Sequence, residues 1–252
     1  MKSERTKRCK KRMQGESKAL LNVNKVNTYY GKTHILNDVS LEVDKQETVA
    51  LLGRNGFGKS TTLKSIMGLV PPQNGSIRFK GKEIAGLKPH IICRLGVGFV
   101  PQERRIFPYL TVRQNLLVGV KPKQKVENQW TIEKLYHYFP QLQKRDRQKG
   151  QYLSGGEQQM LTIARTLMGN PELLLVDEPT EGLAPLVADL VMNMIRVMQE
   201  SGCAILLVEH AIDIALKFAF RVYIISRGLI VWGGTKEEFY AHDEIRKRYL
   251  EI

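Results

Sequence analysis

From Leu20 to the end of the chain, short apolar runs alternate with amphipathic stretches. Short apolar runs bounded by polar residues or glycine predict strands, and amphipathic stretches predict helices. The predicted strands span residues 21–26, 39–43, 48–52, 76–79, 97–100, 173–176 and 204–208. The last two are uninterrupted apolar runs, which are typical of parallel strands that are covered on both faces.

The predicted helices occupy the stretches between these strands. One begins near Lys59 after a glycine-rich turn, and others span residues 111–118, 131–139, 154–168 and 185–200. Thr235 and Glu238 form a capping box that predicts a final helix, and residues 121–129 are predicted to be an exposed loop. Strands that alternate with helices predict an α/β fold, with a mostly parallel sheet and helices on both of its faces.

The composition agrees with one large α/β domain or two small ones. The 252 residues are 42% hydrophobic and 25% charged, which is an ordinary globular balance. The three cysteines, Cys9, Cys93 and Cys203, lie far apart, which excludes a disulfide framework and a cysteine-based zinc site. The longest apolar run, 203–208, has six residues, whereas a membrane-spanning helix needs about 20. We therefore expect a chain that does not cross a membrane by itself.

The positive charge is concentrated at the start of the chain. The formal net charge is +14, and residues 1–18 hold eight basic and two acidic side chains, a net of +6. We predict that residues 1–18 are a solvated, disordered tail and that residues 19–252 form the folded domain. The alternative for the tail is binding to anionic lipid headgroups or to RNA.

A glycine-rich motif lies between the strand predicted at 48–52 and the helix that begins near Lys59. Glycines let backbone N–H groups curl around phosphate oxygens, and a helix N-terminus favours anions. We expect Lys59 to bind the β- and γ-phosphates of a nucleotide and Ser60 to ligate Mg²⁺. The motif fits the pattern GxxxxGK[ST] and comprises Gly53, Arg54, Asn55, Gly56, Phe57, Gly58, Lys59 and Ser60, with Thr61 directly after it.

Two carboxylates follow the buried strand predicted at 173–176. Asp177 lies at the carboxyl end of that strand, where doubly wound sheets bind ligands, and we expect it to hold Mg²⁺. Glu178 is the candidate general base that accepts a proton from the attacking water. Together with the glycine-rich motif, this pair predicts a nucleotide hydrolase.

A second candidate anion site opens the helix predicted at 154–168. Ser154, Gly155, Gly156 and Glu157 provide a serine cap and bare backbone N–H groups at a helix N-terminus. A single nucleotide needs only one glycine-rich cradle. The second anion site therefore predicts contact with a nucleotide that is held by another chain.

The string LSGGEQQ, at 153–159, resembles the signature of ABC-type ATP-binding subunits, and the resemblance covers residues 20–252. It implies the ABC ATPase fold, which is a P-loop NTPase-like sheet with an antiparallel β subdomain and a helical subdomain at about 103–168. It also implies that Tyr30 stacks on adenine, that Gln102 links Mg²⁺ and the γ-phosphate to a permease, and that His210 contacts the γ-phosphate. The implied cofactors are ATP and Mg²⁺.

Further segments, at 100–102, 106–108, 110–112, 130–133, 138–140 and 181–185, resemble the smaller ATPase subunit of branched-chain amino-acid importers. This resemblance implies three kinds of partner: a second ATPase (a copy or a paralogue), transmembrane permeases and an extracytoplasmic solute-binding protein. It places the chain at the cytoplasmic face of the membrane. Many members of that branch have glutamine where this chain has His210. The histidine favours competent ATP hydrolysis, but it weakens the assignment of this chain to the branched-chain branch.

Two alternatives stay open on the sequence. A lipopolysaccharide-export ATPase shares similar core motifs, would form a homodimer and would bind different permeases. A non-transport ABC protein that acts on ribosomes or nucleic acid would account for the basic charge. Such proteins usually carry two ATPase domains or a long coiled-coil insertion, and this sequence has neither. No specific nucleic-acid binding is therefore expected.

Overall fold

The computed structural model describes residues 19–121 and 129–250. The tail predicted at 1–18 and most of the loop predicted at 121–129 lie outside these ranges. The described strands are β1 (Leu21–Tyr30), β2 (Thr33–Val43), β3 (Thr48–Leu52), β4 (Asn74–Phe79), β5 (Lys82–Glu83), β6 (Val97–Val100), β7 (Leu173–Asp177), β8 (Ala204–Val208), β9 (Arg221–Ser226) and β10 (Leu229–Thr235). The described α-helices are α1 (Lys59–Ile66), α2 (Pro89–Leu95), α3 (Val112–Val118), α4 (Ile132–Tyr138), α5 (Pro140–Lys144), α6 (Gly155–Leu167), α7 (Pro185–Glu200), α8 (Ile212–Phe218), α9 (Lys236–Ala241) and α10 (Asp243–Tyr249).

The larger sheet has six strands in the order β10-β9-β3-β8-β7-β6. Every neighbouring pair from β9 to β6 is parallel, and only β10 runs antiparallel to its neighbour. The prediction of a mostly parallel sheet is therefore confirmed. Because β3 and β7 run in the same direction, the loop after β3 and the carboxylates after β7 meet at one edge of the sheet.

The smaller sheet is fully antiparallel, in the order β2-β1-β4-β5, and confirms the expected antiparallel subdomain. Strand β1 extends to Tyr30, beyond the predicted end at residue 26. The register of β1 shifts between Val23 and Val26, where Lys25 has a φ of +46°. The register shifts again between Val26 and Thr28 and between Thr28 and Tyr29. These irregularities interrupt the alternation of apolar and polar positions beyond residue 26, which explains why the sequence pattern predicted too short a strand.

Alternate residues of β7 face opposite sides of the larger sheet. Leu174 and Val176 pack with apolar residues of α6 and α7, whereas Leu173 and Leu175 pack with α1 and with the antiparallel sheet. Both faces are thus covered, which requires the uninterrupted apolar run. The prediction of helices on both faces needs one refinement, because α1 shares the second face with the smaller sheet.

Side chains that cap the helices fix several of their starts. Thr111, Ser154 and Thr235 each form a capping box with the third residue of the helix that follows, and Thr131 caps α4 with its hydroxyl. The starts predicted at 111, 131 and 154 therefore differ from the observed helices by one residue. None of the helices in the described ranges has both the length and the apolar character that crossing a bilayer requires.

The sequence pattern did not predict the hairpin of β9 and β10 or the helices α2, α5, α8 and α10. The hairpin turns at Arg227 and Gly228, whose φ angles are +48° and +80°. Two successive positive φ values are typical of the tight turn that joins antiparallel strands. The turn is built with arginine and glycine rather than with the asparagine–glycine pair that most strongly indicates a hairpin.

The buried position of Leu175 yields a stability prediction. Leu175 is fully buried in β7, so Leu175→Ala should lower the free energy of unfolding by about 2–5 kcal/mol, because it removes apolar contacts and leaves a cavity. Leu186 on α7 is 80% exposed and provides the control, since Leu186→Ala should change it by less than about 0.5 kcal/mol. Urea unfolding of both variants measures the difference. Equal losses would contradict this account of the core.

Candidate nucleotide site

The glycine-rich loop that joins β3 to α1 lies tightly against the rest of the sheet. A Cβ atom at Gly53 would lie 2.3 Å from the carbonyl oxygen of Ile225 in β9. Gly58 has a φ of +106°, and a Cβ there would lie 2.8 Å from the Leu36 side chain. Only glycine fits at these two positions, so the loop can pass this close to β9 and β2.

Lys59, the first residue of α1, holds a buried positive charge. Its side chain is 4% exposed, and its Nζ donates to the Gly53 carbonyl oxygen at 2.8 Å and to Asn55 Oδ1 at 3.3 Å. It also lies 3.2 Å from Glu178 Oε1. A buried ammonium group is stable only when paired, and here Glu178 supplies the negative charge.

Two of the three predicted metal ligands, Ser60 and Asp177, are in contact. The Ser60 hydroxyl donates to Asp177 Oδ1 at 2.9 Å, and Asp177 is almost fully buried at the end of β7. Hydroxyl and carboxylate oxygens are ligands that Mg²⁺ accepts, usually together with phosphate oxygens. No cluster of three acidic, histidine or cysteine side chains that could hold a metal occurs within the described ranges. The donor set therefore fits a Mg²⁺ ion that is bound jointly with a nucleotide.

Glu178 lies at the centre of the site. Its carboxylate contacts Lys59 on one side, while Gln102 Nε2 and His210 Nδ1 each lie 3.5 Å from Oε2. Its backbone N–H donates to the Val208 carbonyl oxygen at 3.0 Å, and its φ is +41°. The structure thus brings together the predicted general base, the predicted phosphate-binding lysine and the two residues implied by the family resemblance.

An open cavity of about 340 Å³ lies at this site. The predicted site residues that do not line it are Tyr30, Gly53, Arg54, Phe57, Asp177, His210 and residues 154–157. Tyr30 is 47% exposed at the end of β1. Stacking of Tyr30 on adenine stays a prediction. The lining residues are Ile35, Asn55, Gly56, Gly58, Lys59, Ser60, Thr61, Gln102 and Glu178.

The second predicted anion site lies apart from this cavity. None of the residues from Ser154 to Glu157 belongs to the cavity lining. The Ser154 hydroxyl accepts from the Glu157 N–H at 3.4 Å, and Glu157 Oε2 accepts from the Ser154 N–H at 2.8 Å. The Glu157 carboxylate also pairs with Arg145, so it is already engaged within its own chain. Gly155 and Gly156 complete the first turn of α6 and are half-buried, whereas Ser154 is exposed.

Comparison with protein families matches residues 36–181, more than half of the chain, to the family described as ABC transporter. The chain belongs to the ABC transporter family. The matched range contains the glycine-rich loop, the N-terminus of α6 and the carboxylates that follow β7. The resemblance found in the signature string is therefore confirmed.

Curated relatives of this ABC transporter chain include proteins of two kinds. BraG of Pseudomonas aeruginosa, a high-affinity branched-chain amino acid transport ATP-binding protein, is 42% identical, and the match covers 92% of this chain and 99% of the relative. LivF of Archaeoglobus fulgidus, a probable protein of the same kind, is 35% identical, with coverages of 92% and 99%. LptB of Haemophilus influenzae, a lipopolysaccharide export system ATP-binding protein, is 35% identical, with coverages of 88% and 92%.

Solved structures of ABC transporter cassettes share the fold. A nucleotide-free ATP-binding cassette matches with a TM-score of 0.79 and 27% identity, over 92% of this chain and 98% of that chain. A dimeric cassette in a post-hydrolysis state, bound to ADP and Pi, matches with a TM-score of 0.73 and 26% identity, over 86% and 98%. The chain is accordingly an ATP-hydrolysing subunit of the ABC transporter type.

The structure adds three residues to this ABC transporter site. Ile35 of β2 lines the cavity, and the Glu181 carboxylate accepts a hydrogen bond from Gln102. Arg104 lies against the first turn of α6, and its Nη2 is 3.5 Å from the Gly182 carbonyl oxygen. Ile35 was not predictable because it approaches the loop only through the packing of the two sheets. The sequence places Arg104 two residues beyond Gln102, but no motif assigns it a role.

The buried carboxyl of Asp177 yields a prediction for the pH dependence of stability. Burial raises the pKa of Asp177 to about 6, although the bond from Ser60 opposes this effect. Because this pKa is higher in the folded chain than in the unfolded chain, the stability contributed by the protonated group is lost as the pH rises through about 6. Asp177→Asn removes this dependence.

Urea unfolding without nucleotide and with EDTA measures the effect. The free energy of unfolding of the wild type, relative to Asp177→Asn, should fall between about pH 4 and about pH 6.5 and then level off. Asp213→Asn, at an exposed position of α8, is the matched control and should parallel the wild type. Parallel curves for the wild type and Asp177→Asn would contradict the account.

Proposed function

We propose that this chain is the ATPase subunit of an importer of branched-chain amino acids or a similar small solute. The observation that carries the ATPase part is the pairing of Lys59 with Glu178 and of Ser60 with Asp177 beside one cavity. The identity of 42% to a branched-chain amino acid transport ATP-binding protein, over 92% of this chain, supports the solute class.

Nucleotide binding changes the partner of Lys59. In the structure, the Lys59 ammonium group is paired with Glu178. The phosphates of ATP would take over as the anionic partner, aided by the N–H groups of the loop and the N-terminus of α1. The Glu178 carboxylate is then released to accept a proton from the attacking water, and His210 and Gln102 stay beside it.

The predicted metal site completes the phosphate cradle. Ser60, Asp177 and Gln102 are proposed to hold Mg²⁺, which would neutralise charge that develops on the phosphates. Asp177 and Ser60 are already in contact, so the binding of the ion requires them to exchange their mutual hydrogen bond for the metal. Tyr30 is proposed to stack on the adenine ring.

The exposed N-terminus of α6 is proposed to act on a nucleotide bound by a second ATPase subunit, a copy or a paralogue. The Ser154 hydroxyl and the N–H groups of Gly155 and Gly156 lie outside the cavity of their own chain. Only a closed dimer would offer ATP both sets of hydrogen-bond donors, the cradle at Lys59 of one subunit and the helix end at Ser154 of the other. ATP binding therefore favours closure. Hydrolysis and phosphate release remove this difference in affinity, and the dimer opens.

A cluster of exposed apolar side chains supports docking to transmembrane permeases. It belongs to the segment proposed as the helical subdomain, about 103–168, which begins directly after Gln102. Through this segment, motion at Gln102 would be transmitted to the permeases. An extracytoplasmic solute-binding protein would act on the permeases from the other side, and this subunit would lie at the cytoplasmic face. The exposed side chains are Phe107, Tyr109, Leu117, Val118 and Val120.

The role of Glu178 is tested by Glu178→Gln. We expect nucleotide affinity to be retained and kcat for ATP hydrolysis to fall by about 10²–10⁴-fold, because the amide cannot accept the proton. Steady-state hydrolysis and calorimetric titration with ATP measure the two effects. Glu237→Gln, an exposed exchange on α9, is the control and should keep kcat. An unchanged kcat in Glu178→Gln would show that Glu178 is not the general base.

The role of Lys59 is tested by Lys59→Ala. Removal of the ammonium group should reduce ATP affinity by at least about 100-fold, since the phosphates lose their buried positive partner. Lys82→Ala, an exposed exchange on β5, should leave the affinity unchanged. Calorimetry measures both, and circular dichroism verifies that the variants are folded. Wild-type ATP affinity in Lys59→Ala would contradict the assignment of the cradle.

The solute class is tested by uptake of radiolabelled leucine into cells that lack their own copy of this gene. Expression of the wild-type chain should restore uptake, and Lys59→Ala should not. Partners captured from membranes should include multi-spanning permeases and a second ATPase. Normal leucine uptake in the deletion strain, together with a defect in the export of lipopolysaccharide, would instead favour the export function of LptB.

A further inference from the structure

The segment that follows β7 is held by bonds from separate parts of the chain. The Glu178 N–H donates to the Val208 carbonyl oxygen of β8 at 3.0 Å. The next residue, Pro179, accepts a bond from Gln159 Nε2 at 3.3 Å, and Gln159 is a buried residue of α6. The end of β8 therefore holds Glu178, and helix α6 holds Pro179.

Thr180, the third residue of the segment, is bound by a buried carboxylate that has no role in the reaction described above. The Thr180 hydroxyl donates to Glu209 Oε1 at 2.8 Å. Glu209 lies between β8 and His210 and is fully buried. Its other oxygen, Oε2, has no hydrogen-bond partner within the described ranges. A buried carboxylate with an unsatisfied oxygen is costly, so stability alone does not explain a glutamate at this position.

The segment held in this way carries the strained backbone of Glu178. The φ of +41° places Glu178 in the left-handed region, which is unfavourable for a residue other than glycine. Such a conformation persists only where the surrounding structure holds it. In this conformation the Glu178 carboxylate reaches Lys59 and the cavity.

We propose that Glu209 is a positioning residue for ATP hydrolysis, which holds the Glu178 carboxylate in place through its bond to Thr180. Glu209 directly precedes His210 in the chain, so this one residue links the positions of Glu178 and His210, the two side chains proposed to flank the reacting phosphate. The inference rests on the proposed role of Glu178 as the general base. Glu209 contacts neither nucleotide nor water in this account and acts only through Thr180.

Variants of Thr180 provide a matched pair. Thr180→Val removes the hydroxyl and keeps the shape of the side chain, whereas Thr180→Ser keeps the hydroxyl. We expect Thr180→Val to lower kcat about tenfold, with a change in the KM for ATP of less than about twofold, because chemistry rather than binding loses its geometry. Thr180→Ser should stay within about twofold of the wild type in both constants.

Variants of Glu209 test the other end of the bond. Glu209→Gln keeps an oxygen acceptor and should rescue most of the kcat that Glu209→Met loses. Each of the single variants Thr180→Val and Glu209→Met removes the same hydrogen bond. The double variant should therefore be no slower than the slower of its two single variants. Equal kcat for Thr180→Val and Thr180→Ser, or multiplicative losses in the double variant, would overturn the proposal.

Two measurements on the full-length chain distinguish a failure of the positioning role of Glu209 from a failure of the proposed role of Glu178. The stoichiometry of ADP binding, from calorimetry, gives the fraction of folded, binding-competent subunits, and kcat is expressed per competent subunit. Glu178→Gln is assayed in parallel. If that variant is inactive while Thr180→Val equals Thr180→Ser, the positioning role is wrong and the proposed function stands. If Glu178→Gln keeps wild-type kcat, the role of Glu178 and the positioning role are both wrong.

Discussion

The buried ammonium group of Lys59 is the constraint on which the site depends. With 4% of its side chain exposed, it must be paired, and Glu178 pairs with it. The same ion pair keeps the proposed general base next to the place where the phosphates bind. The exchange of a carboxylate for phosphates at Lys59 therefore couples nucleotide binding to the readiness of Glu178 for catalysis.

The larger sheet makes this pair possible. Strands β3, β8 and β7 are parallel neighbours, so the loop before Lys59 and the segment that starts at Asp177 leave the sheet at the same edge. Apolar side chains on both faces hold these strands in register. The polar groups at the edge thus rest on a rigid base, while the N-terminus of α6 is exposed and lies outside the cavity.

Much of this arrangement is predictable from the sequence. The uninterrupted apolar runs predict parallel strands, and the motifs that follow them place the loop before Lys59, and Asp177 itself, at strand ends. The hairpin of β9 and β10 was missed because Arg227 occupies a position with positive φ that usually selects asparagine or glycine. The contacts of Glu178 with Lys59 and of Thr180 with Glu209 were not predictable, since they join residues far apart in the sequence. The left-handed φ of Glu178 likewise depends on those contacts.

The central claim is that each triphosphate is shared between two subunits. The most direct measurement is a structure of the Glu178→Gln chain with ATP, Mg²⁺ and its ATPase partner. The account predicts that each triphosphate contacts Lys59 of one subunit and the Ser154 helix end, or the corresponding helix end of a paralogue, of the other. A triphosphate fully enclosed by one chain, with the Ser154 helix end facing solvent, would contradict it.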